Sequence, residues 1–194
     1  MRKLILSLIF VACCGPLHAS DDVEAPFQRH TIDVETGLLF QFGSNTTIDY
    51  RIMQNQISWR SPYVLKRDLS NGSTLVVRHH ASLIGSWIAT GPEDYYLAIS
   101  GSPSIEWWSA DNLWSAYFSI GGGFGVVNST PVPGGQGQDF TYNWFIKTGI
   151  RHQLSDDLAI FGGPFFQHMS NRGATDPNPG IDALGFTIGT SFSF

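Results

Sequence analysis

His168 and Ser170 stand two residues apart, and Asp182 follows one short loop later. On a strand, the side-chain period of two puts His168 and Ser170 on one face. An antiparallel partner starting near residue 181 would return Asp182 to their side. A hydroxyl, an imidazole and a carboxylate brought together in this way supply a nucleophile, a base and an orienting acid, the set that acyl transfer uses. The same three residues could also cap strand ends and meet water, and spacing alone leaves that alternative open.

The rest of the chain has to position them. Its 194 residues suffice for one domain with a sizeable core. Only 14% of residues are charged and the net charge is −5, which argues against a disordered chain and against a nucleic-acid binder. Residues 1–19 read as a secretory signal: Arg2 and Lys3, then an apolar run to Cys14, then a cleavage site ending at Ala19. That run is too short to span a bilayer as a helix. Acylation at Cys13 or Cys14 is the alternative, with Phe10 a poor fit to it. Both cysteines lie in this segment, so a mature chain would have no disulfide and no Cys-based metal site. Residues 20–34 are polar and without period, and read as a periplasmic N-terminal segment.

From residue 35 to 194, strand-like runs alternate with turn signals. The expected strands are roughly 35–44, 47–60, 73–89, 94–109, 113–127, 140–153, 158–170 and 181–194. The second is irregular, since Ile48, Tyr50 and Ile52 share one parity while Ile57 and Trp59 share the other, and a β-bulge would reconcile them. The eighth is the most informative. Leu184, Phe186, Ile188, Phe192 and Phe194 alternate with Ala183, Gly185, Thr187, Gly189, Ser191 and Ser193. A soluble sandwich would turn the apolar face inward and put Lys and Glu outside. Here the polar face is small, which suits the packed interior of a narrow barrel, with Glu106, Lys147 and Arg151 pairing inside. The apolar face suits lipid. A bilayer admits only structures that satisfy their own backbone groups, so the expectation is all-β: an eight-stranded antiparallel transmembrane β-barrel over 35–194 in the cell outer membrane.

With both termini periplasmic, the connections near 44–46, 90–93, 128–139 and 171–180 face outward and those near 61–72, 110–112 and 154–157 face inward. The 61–72 connection is longer than an inner turn should be. The Gly- and Pro-rich 128–139 stretch reads as a mobile loop. Asp182 shares parity with Leu184 and Phe186 and should face lipid, and His168 and Ser170 join it if the even face of their strand is outward.

The run from His168 through Met169, Ser170, Asn171 and Arg172 to Gly173, followed by Pro177-Asn178, Gly180-Ile181-Asp182 and a terminal strand, resembles the lipid A 3-O-deacylase family of the Gram-negative outer membrane. The specific match covers about 18 residues near the C-terminus. The resemblance implies an eight-stranded barrel with its site on the lipid-facing side. It implies Ser170 as nucleophile, His168 as general base and Asp182 as orienting acid, with the Asn171 side chain and the Gly173 N–H stabilising the oxyanion. It also implies, as substrate, the ester-linked 3-hydroxyacyl chain at position 3 of lipid A, with Phe166 and Phe186 lining grooves for the chains. The chain departs from the family at Asp182, where the family usually has Glu, one methylene longer. No cofactor or metal is expected. The expected partners are lipopolysaccharide, outer-membrane lipids and the barrel assembly machinery, which a terminal aromatic such as Phe194 addresses; a homodimer is left open. Two other readings stay open: a structural or adhesive barrel without activity, and an outer-membrane esterase or phospholipase acting on other lipids.

The remaining candidates are weaker. Adjacent His79 and His80 would point to opposite faces of a strand, which is unfavourable for a shared metal. The glycines of 121–125 lack the Lys and helix of a phosphate loop. Trp59, Trp87, Trp107, Trp108, Trp114 and Trp144 read as membrane-interface girdles.

Overall fold

The computed structural model describes residues 24–43, 47–130 and 132–194; the expected signal at 1–19 lies outside them. A 3-10 turn, Pro26–Gln28, precedes nine antiparallel strands: β1 (Thr31–Gln41), β2 (Arg51–Arg60), β3 (Leu65–Asp68), β4 (Thr74–Thr90), β5 (Tyr95–Trp108), β6 (Trp114–Val127), β7 (Phe140–Gln153), β8 (Leu158–Ser170) and β9 (Ile181–Ser193). Eight of them close a ring. Each pairs with its neighbour in sequence apart from β3, β9 returns to β1, and β2 pairs with β4. The expected eight-stranded barrel is the one observed. No described helix is long and apolar enough to cross a membrane; the crossing is made by strands. At about 3.3 Å per residue, the 14 residues of β5 extend about 45 Å, enough to cross a bilayer when tilted.

Alternation sets the two faces. In β5, exposed and buried residues alternate without a break. Leu83, Leu97, Ile105, Ile150 and Ile188 are among the exposed apolar residues that ring the outside. A belt of this extent would be an aggregation hazard in water and is what a barrel presents to lipid.

The small third strand accounts for the long 61–72 connection. β3 folds back on the start of β4, Leu65 opposite Val77 and Asp68 opposite Thr74, and extends the sheet below the ring. The barrel also begins earlier than expected, at Thr31 rather than Glu35. Thr31, Asp33 and Glu35 face inward, and Thr31 and Asp33, polar residues on the core side, look in sequence like part of a polar N-terminal segment. Ahead of them, Phe27 is buried against Trp108 and Val76, so residues 25–29 fold over the lower mouth.

The interior has two storeys. The lower one is charged. Glu106 binds Arg60, Lys147 binds Glu35, and Arg151 binds Asp33 at 3.1 Å. The expected interior charges therefore pair, with partners from β1 and β2. The upper storey is apolar: Leu39, Tyr50, Ile52, Phe145, Phe165, Met169 and Ile181 form one buried cluster. This resolves the parity conflict in β2. Ile52 faces inward into the apolar storey while Ile57 and Trp59 face lipid, and the alternation within β2 is unbroken, so the expected bulge between the two sets is absent. A register shift occurs only at its upper end, between Arg51 and Ile52 against β4. Trp108 corrects the girdle expectation: it is fully buried, donates Nε1–H to Glu106 at 3.1 Å, and cannot share a face with its neighbour Trp107. His79 faces out and His80 in, and no group of metal-ligating residues occurs among the described residues.

Candidate active site

β8 carries Phe161, Phe165, Gln167 and Met169 inward, which leaves Phe166, His168 and Ser170 on the lipid-facing side. Phe165 and Met169 belong to the apolar storey, so the strand bearing the polar trio is clamped from within. Packing of this kind fixes side-chain geometry to the tolerance chemistry requires. β9 approaches closely: a Cβ on Gly185 would lie 1.8 Å from the Leu38 carbonyl oxygen on β1.

His168 and Asp182 are direct cross-strand partners. Side chains at such positions project in parallel about 5 Å apart. Asp182 Oδ1 lies 2.6 Å from His168 Nδ1, and His168 Nε2 lies 3.0 Å from Ser170 Oγ. The shorter acid thus reaches the imidazole, because register has already brought the two backbones opposite each other. With Asp182 accepting, Nδ1 carries the proton and Nε2 is left to accept from Ser170. Trp144, the partner of His168 on β7, stacks on the imidazole at 5.9 Å. The His168 side chain is 24% exposed and Asp182 10%. Gly180, with φ +67°, closes the loop against the ring; its Cβ position is 3.5 Å from His168 Cε1. A groove of about 470 Å³ lies over His168 and Ser170, lined also by Gly123, Tyr142, Asn143, Trp144 and Arg172.

The two expected oxyanion donors, Asn171 and Gly173, both lie in the turn after Ser170. Asn171 is fully buried. Its Nδ2 donates to the carbonyls of Gln136 (2.6 Å), Thr175 (2.7 Å) and Pro177 (3.3 Å). Its Oδ1 accepts the Gly173 N–H at 2.7 Å. Both groups are spent within the loop, and either would have to surrender a short bond to meet an oxyanion. They form the turn after Ser170: Arg172 (φ +58°) and Gly173 (φ +77°) are its left-handed centre, closed by Ala174 N–H to Asn171 O at 3.2 Å.

The two expected chain-binding phenylalanines separate. Phe166 sits beside His168, packed on Trp144 (5.1 Å) and Phe42 (6.0 Å). Phe186 lies farther down the barrel and lines a different apolar hollow of about 300 Å³ with Ile150, Ile160, Gly162 and Ile188.

Sequence reasoning missed the latch behind the loop. Buried Glu93 accepts the Tyr50 hydroxyl (2.9 Å), the Ser129 hydroxyl (3.0 Å) and the Gln136 N–H (3.0 Å). Gln136 in turn holds Asn171. The described residues of the 128–139 segment are therefore tied to the barrel by hydrogen bonds. Asp139 adds a second tie, accepting from Thr130 N (2.7 Å) and Ser129 N (2.9 Å). The Thr130 N–H is the main cause holding the Asp139 carboxyl below its usual range. Glu93→Ala would take the acceptor from the Tyr50 and Ser129 hydroxyls, at about 1–3 kcal/mol for a buried donor left unpaired, and would leave the Gln136 N–H only its bond to Ser129 Oγ. Amide exchange at Gln136 is expected to accelerate by about tenfold or more, with the melting of the strand ladder unchanged. Hydrogen-exchange mass spectrometry of the two proteins checks this; equal protection would mean that Glu93 does not hold the loop.

A family model for lipid A 3-O-deacylase (PagL) matches residues 56–191, more than half of the chain. No curated protein sequence matches. Among solved structures, the crystal structure of the outer membrane enzyme PagL superposes with a TM-score of 0.56 at 14% identity, covering 84% of this chain and 99% of that one. At that identity the likeness concerns the fold alone. The outer membrane protein Ail of Yersinia pestis, in a phospholipid bilayer nanodisc, gives 0.39 at 10% identity, covering 86% and 99%.

Proposed function

We propose, from the premise that the chain belongs to the lipid A 3-O-deacylase family, that it works as a serine esterase with Ser170 as nucleophile, His168 as base and Asp182 as orienting acid. Membership makes it an ester hydrolase of the outer membrane that deacylates lipid A; the serine mechanism and the position of attack are our reading. The observation that carries it is the pair of bonds on His168, one ring nitrogen on Asp182 at 2.6 Å and the other on Ser170 at 3.0 Å, on the face that meets lipid.

The chemistry follows from those bonds. His168 Nε2 takes the Ser170 proton as Oγ adds to the acyl carbonyl of the ester at position 3 of the sugar. Asp182 stabilises the imidazolium. The C–O bond to the sugar breaks, His168 returns the proton to the leaving alkoxide, and an acyl-serine remains. Water entering from the loop side attacks the acyl-serine, again with His168 as base, and releases the 3-hydroxy fatty acid with Ser170 restored. Site and substrate share one location: a trio on the outside of a filled barrel, at its loop end, meets the headgroup zone of the outer leaflet. Phe166 and Trp144 flank His168 where the acyl chains would descend.

The test uses purified barrel in detergent with lipid A. Release of one 3-hydroxy fatty acid per lipid, together with covalent capture of Ser170 by a fluorophosphonate seen on its own peptide, is the expected result. Release of fatty acids from glycerophospholipids at a comparable rate would move the assignment to a general outer-membrane lipase.

A further inference from the structure

Arg172 stands two residues after Ser170 and lines the same groove, yet the mechanism above does not use it. We propose that Arg172 is a specificity-determining residue whose guanidinium binds a phosphate monoester on the sugar that carries the scissile ester. This deepens the ester-hydrolase reading and rests on it.

Three observations converge. The first is backbone conformation. Arg172 has φ +58° at the first centre of its turn, a position where Gly or Asn sits with less strain. A long cationic side chain held in a disfavoured conformation beside a nucleophile points to a role for that side chain. The second is direction. The guanidinium lies over the Tyr142 ring at 5.1 Å, and Tyr142 is the cross-strand partner of Ser170 on the lipid-facing side. Stacking on an aromatic face steadies the planar fork while leaving its edge N–H groups to bind. The third is charge. The connections 42–50, 91–94, 128–139 and 171–180 hold Asp49, Glu93, Asp94, Asp139 and Asp176, and Arg172 is their only Lys or Arg. Among the described residues Arg172 makes no ion pair, whereas Arg51, at the start of β2, is matched with Asp49 at 3.3 Å. An anionic lipid approaching this acidic rim finds one place of opposite sign, and it is next to Ser170.

The ligand class follows from the fork. Guanidinium binds phosphate through two parallel N–H···O bonds, a match that a sugar hydroxyl cannot offer. A phosphate at carbon 1 and an ester at carbon 3 sit on one ring, so Arg172 can hold the first while Ser170 meets the second. Binding energy spent there orients the ester without touching it.

The experiment compares 2,3-diacylated glucosamine 1-phosphate with the same lipid bearing a free anomeric hydroxyl, each in neutral detergent micelles. Wild type, Arg172→Gln and Arg172→Lys are assayed on both. Wild type is expected to show a KM about tenfold lower for the phosphorylated lipid. Arg172→Gln is expected to lose that preference with kcat little changed and to match wild type on the phosphate-free lipid, while Arg172→Lys keeps part of it. Binding of both lipids to Ser170→Ala and to Ser170→Ala/Arg172→Gln gives the same comparison without turnover. A KM change of equal size on both lipids would assign Arg172 to loop structure and overturn the proposal, as would a wild type that does not discriminate. Failure of folded wild type to release fatty acid from either lipid would count against the hydrolase reading, and the binding arm would still decide the role of Arg172.

Discussion

Ser170→Ala is expected to leave the lipid A of a Gram-negative host at the mass seen without the protein, while the wild type removes one 3-hydroxyacyl chain. The variant keeps the Asp182–His168 pair and every strand contact, because Ser170 ends β8 and its hydroxyl bonds to His168. It loses the atom proposed to form the acyl-enzyme. Removing the nucleophile of a hydrolytic triad costs about 10⁴-fold or more in kcat. Mass spectrometry of extracted lipid A reads this directly, with heat-dependent gel mobility showing that both barrels are folded. Persistent deacylation by Ser170→Ala would place the nucleophile elsewhere. Unchanged lipid A with the folded wild type would favour a barrel without activity.

The second large effect concerns Asp182. Asp182→Asn is expected to lower kcat by about 10³- to 10⁴-fold with little change in KM. The reason is the proton on the ring. Asp182 accepts at Nδ1, which keeps Nε2 free to take the Ser170 proton. An amide in its place can donate to Nδ1, which forces the proton onto Nε2 and turns the base into a donor facing Ser170. Asp182→Glu is expected to stay within about tenfold of wild type, since charge and tautomer are preserved. Steady-state kinetics on purified lipid A separates the two. If Asp182→Asn and Asp182→Glu lost activity equally, reach rather than charge would be the requirement.

The barrel was readable in the sequence because its two faces meet such different surroundings. Lipid outside and a small polar interior give β5, β6, β7 and β9 a clean period of two. Reading failed where the interior changes character. At the start of β2, Ile52 and the preceding Tyr50 enter the apolar upper storey, so hydrophobicity there no longer marks the lipid face. In β1, Asp33 enters the charged storey and passes for part of a polar N-terminal segment. The trio was legible because a two-residue step and a hairpin register are local rules. The partners of Asn171 were not, since the Gln136 carbonyl that accepts from its amide lies 35 residues away and arrives through a latch built on Glu93. Arg172 carries no sequence signal beyond its charge; its left-handed backbone and its seat on Tyr142 emerge only in the folded turn.

The two-storey interior also bears on the membrane that hosts the protein. Phe145, Phe165 and Met169 fill the upper half, and Arg60, Glu106, Asp33 and Arg151 cross-link the lower. Side chains occupy the space that a porin leaves to water. Such a barrel is expected to conduct neither ions nor solutes and to be electrically silent in a planar bilayer. A cell can therefore carry many copies without losing the permeability barrier that its outer leaflet provides. The enzyme can edit the molecules of that barrier from within while opening no hole in it.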